Sequence, residues 1–389
     1  MKAPRPFAPG IPPAVQDDLR ERLRRARWPV APDAPPWRYG ASQAYLARLI
    51  DYWAHDYDWA KTEAAINRFD NFLVELNGLD VHFILERGSG PAPRPLLLTH
   101  GWPGSIIEFL AVIEPLAHPE RFGGRLEDAF TVVVPSLPGY GFSQPPAAPM
   151  SPREVGTMWR TLMVEVLGHE RYFAQGGDWG SIVSSWMAYD HPEHVAALHL
   201  NLLGIVSAPP AERQTPEEKD WIARTAAWRA PEDGYRTQQA TRPHTLAYAL
   251  TDSPIGLAAW IVEKFHGWTV PGTQDDPPFS FDDLLGNVML YWIGGPGPAS
   301  WFYAKTAEDD LRRFPEGTRV TVPTGMLICP RDTMPPPPDS IIRRSYNLVS
   351  RTDAPTGGHF VALEQPAYFV EQVRAFFRAW PLSRAAGPG

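Results

Sequence analysis

The segment Gly176-Gly177-Asp178-Trp179-Gly180 has the residue types that covalent chemistry requires. It lies between a predicted strand and a predicted helix, and its small residues permit the tight turn that presents a nucleophile at a helix start. A carboxylate there can displace a leaving group from a saturated carbon and form an ester that water cleaves, whereas a serine would form an inert ether. Asp178 therefore predicts an epoxide or an alkyl halide as substrate. The alternative from this segment alone is a glycine-rich turn in which Asp178 caps the helix.

The segment His100-Gly101-Trp102-Pro103-Gly104 favours the catalytic interpretation because it follows another predicted strand. In this position the backbone N–H groups of Trp102 and Trp179 can together bind an oxyanion. We also expect Trp102, Trp179 and Pro103 to contact the substrate.

A base and an acid that orients it are predicted near the end of the chain. His359 follows Gly357-Gly358 in a loop before the last helix, and Asp332 follows the strand Gly325–Cys329. The order nucleophile, acid, histidine is that of the α/β-hydrolase triad. Asp353 is a second candidate acid, but it is predicted to lie in a loop close before His359, so we prefer Asp332.

The elements that position these residues alternate between strands and helices. Buried strands are predicted at Leu96–Thr99, Thr131–Val134, Arg171–Ala174 and Ala196–Leu203, after a hairpin whose turn is Asn77-Gly78. This alternation predicts an α/β fold of the α/β-hydrolase type, with a mostly parallel sheet and helices on both faces.

Four regions can be separated along the chain. Residues 1–68 form an N-terminal extension that we expect to wrap the core and brace a cap, and residues 69–205 form the first part of the core. Residues 206–318 are Trp-rich and break the alternation, which predicts an inserted helical cap at the sheet edge where such folds place their sites. Residues 319–389 complete the core.

Composition excludes several other functions. The 389 residues carry a net charge of −8, which argues against nucleic-acid binding, and the single Cys329 excludes an intrachain disulfide. No signal peptide and no stretch of about 18 apolar residues is visible. We expect a cytoplasmic protein that needs no metal, cofactor or membrane; whether it forms a homo-oligomer stays open.

Several motifs resemble the microsomal-type epoxide hydrolases over nearly the whole chain. They are Trp37-Arg38-Tyr39-Gly40, His100 to Ser105, the Asp178 turn, Thr241-Arg242-Pro243, Asp252 to Ile261, and Asp282 to Trp292. The resemblance implies hydrolysis of a hydrophobic epoxide to a vicinal diol, with two cap tyrosines that bind the epoxide oxygen and donate a proton to it. By position these map to Tyr235 and Tyr303. His244, where relatives often carry an acidic or small polar residue, is a departure, and no membrane anchor is expected.

Two other functions stay open from the sequence. A haloalkane or haloacid dehalogenase would use the same nucleophile, base and oxyanion site but would release halide. A non-catalytic protein that binds a hydrophobic ligand is the other alternative.

Overall fold

The computed structural model describes residues 3–382, and within them the backbone forms one nine-stranded sheet. The sheet order is β1-β2-β3-β5-β4-β6-β7-β8-β9. The strands are β1 (Arg5–Pro6), β2 (Asp70–Leu76), β3 (Leu79–Glu86), β4 (Arg94–Thr99), β5 (Phe130–Pro135), β6 (Tyr172–Gly176), β7 (Val195–Leu200), β8 (Val320–Ile328) and β9 (Tyr346–Asp353).

Strand direction divides the sheet into two parts. The pairs among β1, β2, β3 and β5 are antiparallel, and all pairs from β5 through β4 to β9 are parallel. Strands β5, β6 and β7 are buried at every residue, as expected where helices cover both faces. Asn77 and Gly78 both have positive φ, 50° and 79°, the geometry of a two-residue hairpin turn. The predicted hairpin and parallel sheet are confirmed.

Helices cover the sheet and form the region above its carboxyl edge. Within residues 3–382 the α-helices are α1 (Pro13–Arg24), α2 (Gln43–His55), α3 (Trp59–Asn67), α4 (Leu110–Ala117), α5 (Pro152–Thr161), α6 (Asp178–Asp190), α7 (Pro216–Glu232), α8 (Gly234–Thr241), α9 (Pro243–Asp252), α10 (Pro254–Gly267), α11 (Phe281–Gly294), α12 (Pro296–Glu308), α13 (Asp339–Ser345), α14 (Val361–Glu364) and α15 (Pro366–Arg378). A 3₁₀ segment, Ile106–Phe109, leads into α4, and a π-helical turn, Leu162–Val166, ends α5.

Helices α7 to α12 fall in the range that the sequence predicts as the cap, and the N-terminal helices contact them. Tyr52 donates a hydrogen bond to Asp282 at 2.7 Å, and Arg48 pairs with Asp276 at 2.6 Å. Residues 1–2 and 383–389, which belong to the predicted ranges 1–68 and 319–389, lie outside the described residues.

Strand β9 departs from the sequence prediction. Asp353 ends this strand, so the prediction that it lies in a loop is wrong. The strand lies at the edge of the sheet and only Tyr346 and Leu348 are buried, which leaves little hydrophobic alternation to detect. Strand β7 spans Val195–Leu200, so it ends before Leu203, the predicted end of that strand.

No helix within residues 3–382 is by itself long and apolar enough to cross a membrane. Helices α9 and α10 meet that criterion of length and composition only when taken together, and they are bent by 117° relative to each other.

Candidate active site

Asp178 occupies a sharp turn between β6 and α6. Its φ is +48°, a left-handed conformation that is costly for a residue with a side chain. The turn packs directly on the end of β4, since a Cβ on Gly180 would lie 1.8 Å from the carbonyl oxygen of Thr99. Glycine is therefore required at position 180, and this contact fixes the carboxylate at the carboxyl edge of the parallel strands.

The loop after β4 supplies a hydrogen-bond donor to this carboxylate. The backbone N–H of Trp102 donates to Asp178 Oδ1 at 2.8 Å. Cap helix α11 holds the loop from the other side, because Asn287 donates to the Pro103 carbonyl at 2.7 Å and Tyr291 donates to the Gly104 carbonyl at 2.8 Å. The hydrogen bonds from α11 thus fix the position of the Trp102 N–H, a donor suited to stabilising an oxyanion.

His359 bridges two carboxylates. Its Nδ1 lies 2.6 Å from Asp332 Oδ1 and its Nε2 lies 3.3 Å from Asp178 Oδ2. Asp353 instead pairs with Arg351 at 2.7 Å and is largely exposed. Burial acts to lower the pKa of His359, but the charge of Asp332 and the hydrogen bonds to both aspartates outweigh it and raise the pKa well above its usual range.

The loop that carries His359 is held on two sides. The Glu364 carboxylate accepts hydrogen bonds from the N–H groups of Gly358 and Phe360, both at 3.1 Å. The N–H of His359 donates to the carbonyl of Trp268, in the cap, at 2.8 Å. The imidazole is therefore fixed relative to the cap as well as to the sheet.

Tyr235 and Tyr303 come from helices α8 and α12 and meet beside the Asp178 turn. Tyr235 stacks on Trp102 with 5.1 Å between ring centroids, and Tyr303 packs edge-on against Trp179 at 4.6 Å. The two tyrosine rings are 5.9 Å apart. Burial, and then neighbouring negative charge, raises the pKa of both phenols, so both stay protonated and can donate.

Glu108 was not among the predicted site residues. It lines a cavity of about 10 Å³ together with His359, His100 and Asn201, a space sufficient for about one water molecule. Burial raises the pKa of Glu108 to about 8. The sequence signal is weak: Ser105 and Glu108 have the spacing of a helix capping box, which indicates a helix start and no chemistry.

Asn287, which holds the Trp102 loop, was also missed, and it has no local signal because the contact spans 184 residues of chain. Within residues 3–382, no group of three or more His, Cys, Asp or Glu side chains is arranged to hold a metal ion.

Comparison with known proteins agrees with this geometry. Residues 4–109 match the family model of the epoxide hydrolase N terminus, and residues 94–230 match that of the alpha/beta hydrolase fold. A putative epoxide hydrolase of Stigmatella aurantiaca is 39% identical over 96% of this chain and 84% of its own. The chain belongs to the epoxide hydrolase family.

Other members of the epoxide hydrolase family are similar along the same length. Epoxide hydrolase 1 of Oryctolagus cuniculus is 34% identical over 96% of this chain and 88% of its own. The crystal structure of juvenile hormone epoxide hydrolase from the silkworm Bombyx mori superimposes with a TM-score of 0.84 at 29% identity, covering 97% of this chain and 96% of that one. The structure of Aspergillus niger epoxide hydrolase superimposes with a TM-score of 0.81 at 31% identity, and the match covers 97% of this chain and 97% of that one.

These relatives confirm the α/β-hydrolase fold and the resemblance to microsomal-type enzymes. As a member of the epoxide hydrolase family, the protein is a hydrolase that acts on an epoxide and water, and an aspartate nucleophile is standard in that family.

The close packing of Gly180 against the Thr99 carbonyl can be tested by measuring the free energy of unfolding. Gly180→Ala forces a methyl group against the Thr99 carbonyl, and we expect it to destabilise the fold by about 3 kcal/mol or more and to abolish activity. Gly267→Ala, at a helical position with no atom within 4 Å of the added Cβ, is the control and should change stability by less than about 1 kcal/mol. Urea unfolding measures both; equal stability of the two variants would contradict the packing argument.

Proposed function

We propose that the protein converts hydrophobic epoxides and water to vicinal diols through a covalent ester on Asp178. The main support for this proposal is the environment of the Asp178 carboxylate. Asp178 Oδ1 accepts the Trp102 N–H at 2.8 Å, Asp178 Oδ2 lies 3.3 Å from His359, and two protonated tyrosines stand beside it.

In the first half-reaction Asp178 Oδ2 attacks one carbon of the epoxide ring. The bond between that carbon and the ring oxygen breaks, and the oxygen takes a proton from Tyr235 or Tyr303. Both phenols keep their protons until this step because burial disfavours their charged forms. The product is a hydroxyalkyl ester of Asp178 and a tyrosinate.

In the second half-reaction His359 takes a proton from water, which attacks the ester carbonyl carbon. The developing charge on Asp178 Oδ1 is held by the N–H groups of Trp102 and Trp179. The carbon–oxygen bond of the ester then breaks, and His359 returns its proton to the departing diol. The remaining proton of the water restores the tyrosine, and Asp178 is again a carboxylate.

Ester formation prepares His359 for this second step. Two of the interactions that raise its pKa come from the negative charge of Asp178 and the hydrogen bond to it. Both weaken when Asp178 becomes an ester, so the pKa of His359 falls, the imidazolium releases its proton to solvent, and the neutral imidazole that acts as base is formed. When Asp178 is a carboxylate again, the imidazole takes a proton back from solvent. The cavity between His359 and Glu108 is where we place the attacking water.

The covalent step can be tested by trapping. His359→Gln leaves the first half-reaction intact but removes the base, so we expect the ester to accumulate and the protein mass to rise by the mass of the epoxide. Intact-protein mass spectrometry, followed by peptide mapping to Asp178, is the measurement. Asp178→Ala is the control and should form no adduct. An occupied His359→Gln site without an adduct would count against the scheme.

The tyrosines can be tested separately from the nucleophile. Tyr235→Phe and Tyr303→Phe each remove one donor to the epoxide oxygen, and we expect kcat/KM to fall by about 100-fold for each. Ester formation in a single turnover should slow by the same factor, while hydrolysis of the ester is unaffected. A dehalogenase would be indifferent to Tyr235→Phe, so an unchanged rate of ester formation would favour that alternative.

The reaction itself is tested with paired substrates. Aryl and aliphatic epoxides are scored for diol, and matched alkyl chlorides and chloroalkanoic acids are scored for chloride. We expect diol without chloride, and no diol from Asp178→Ala. Chloride without diol would identify a dehalogenase, and tight binding without either product would favour the non-catalytic alternative.

The division into extension, core and cap is part of this proposal, supported by the contacts of Tyr52 and Arg48 with the residues before α11 and at its start. A cytoplasmic location and the absence of membrane attachment remain predictions.

The single cysteine, Cys329, is buried.

A further inference from the structure

Lys264 is a buried cation that the proposed mechanism does not use. It lies in the last turn of α10, one turn before Trp268, and only 5% of its surface is exposed. Lysine is rarely buried to this extent, because its ammonium group is strongly hydrated in water. The burial of Lys264 therefore requires interactions that offset the loss of hydration.

Two aromatic rings contact the Lys264 ammonium. Its Nζ lies 4.6 Å from the centroid of the Tyr235 ring and 5.7 Å from the centroid of the Trp268 ring. These distances are those of cation–π contacts, in which the negative face of a ring attracts a cation. Because these contacts are shielded from water, they are stronger than the same contacts at the protein surface.

Glu263 pairs with the Lys264 ammonium at 2.7 Å, but this ion pair does not explain why the ammonium is buried. The Glu263 side chain is 27% exposed, whereas that of Lys264 is 7% exposed. Burial adds little to an ion pair, because the charges lose hydration. The aromatic rings are therefore the contacts that distinguish Lys264 from a surface lysine paired with a glutamate.

The Tyr235 ring is held in place by the tryptophans of the site. Trp102 stacks on it with 5.1 Å between ring centroids and 7° between ring planes, and Trp268 packs against it at 5.2 Å. Trp268 in turn contacts the ring of His359 at 4.9 Å. The Tyr235 ring thus keeps its position relative to Lys264 when the charge on its hydroxyl changes.

The charge of Tyr235 changes when its phenol gives a proton to the epoxide oxygen. Burial, and then the charge of Asp178, disfavours the tyrosinate and raises the pKa of Tyr235. A tyrosinate spreads part of its negative charge over the ring, so a cation over the ring attracts it more strongly than it attracts the neutral phenol. An interaction that strengthens as the proton moves lowers the barrier of the step.

On the basis of the proposed function, we propose that Lys264 stabilises the tyrosinate of Tyr235 as the epoxide ring opens, so that Tyr235 gives the proton and Tyr303 only donates a hydrogen bond. Lys264 acts through the Tyr235 ring rather than on the substrate. The O–H bond of Tyr235 breaks and the O–H bond of the product alcohol forms. The negative charge that Asp178 loses on becoming an ester appears on Tyr235, whose ring contacts Lys264.

The charge of Lys264 is tested with Lys264→Met, which keeps an apolar chain of similar length. We expect ester formation in a single turnover to slow by about tenfold or more, since a desolvated cation–π contact is strong. Hydrolysis of the ester should keep its wild-type rate. Lys264→Arg, which keeps the charge, should restore most of the rate of ester formation. Rapid quenching followed by intact-protein mass spectrometry measures both steps.

A double-mutant cycle separates this role from a structural one. In Tyr235→Phe no tyrosinate forms at position 235, so adding Lys264→Met should slow ester formation by less than about twofold. In Tyr303→Phe the same change should keep its full effect of about tenfold. Equal slowing by Lys264→Met in the wild type and in Tyr235→Phe would overturn the inference, as would no slowing in the wild type.

Two control variants complete the test. Glu263→Gln keeps an acceptor for the ammonium, and Lys219→Met removes an exposed lysine from α7. Neither should slow ester formation by more than about twofold. If Glu263→Gln slows it as much as Lys264→Met does, the ion pair is responsible and the inference is wrong. Circular dichroism and thermal unfolding establish that each variant folds.

The same data distinguish this inference from the proposed function. A wild type that forms neither ester nor diol would refute the proposed function, and the role of Lys264 with it. A wild type that forms the ester, and that is slowed by Tyr235→Phe but not by Lys264→Met, would refute the role of Lys264 alone.

Discussion

The two oxygens of the Asp178 carboxylate have different partners, and the rest of the site is arranged around that difference. One oxygen accepts the backbone N–H of Trp102 and the other faces the imidazole of His359. The first is suited to become the carbonyl oxygen of an ester, because its donor is already in place. The second, which lies 3.3 Å from His359 Nε2, is the oxygen that attacks carbon in the mechanism that we propose. The left-handed backbone at Asp178 and the close packing of Gly180 against Thr99 maintain this orientation of the carboxylate.

The cap contributes as much to this arrangement as the sheet does. Asn287 and Tyr291 hold the Trp102 loop from above, and the carbonyl of Trp268 holds the backbone of His359. The cap also supplies Tyr235 and Tyr303, whose burial keeps them protonated. The low-dielectric surroundings of the two phenols therefore strengthen the electrostatic interactions of the site, and in the mechanism that we propose they also keep the tyrosine that donates a proton in its protonated form.

A site residue can be predicted from the sequence when the residues next to it along the chain indicate its role. Asp178 and the Trp102 loop carry their chemistry in short segments next to strands, so their positions follow from the fold type. The sequence predicts a loop at Asp353 because the strand that ends there lies at the sheet edge and has few buried residues. Asn287 could not be found at all, since the Pro103 carbonyl to which it donates lies 184 residues away along the chain.

The most direct test of the covalent scheme follows the oxygen of water. With enzyme in excess over epoxide in ¹⁸O-labelled water, a single turnover should give unlabelled diol, because the oxygen added to the substrate comes from Asp178. The label should appear in the peptide that contains Asp178, since water attacks the carbonyl carbon of the ester. Label in the diol of the first turnover, with none in that peptide, would mean that water attacks the epoxide directly and would contradict Asp178 as nucleophile.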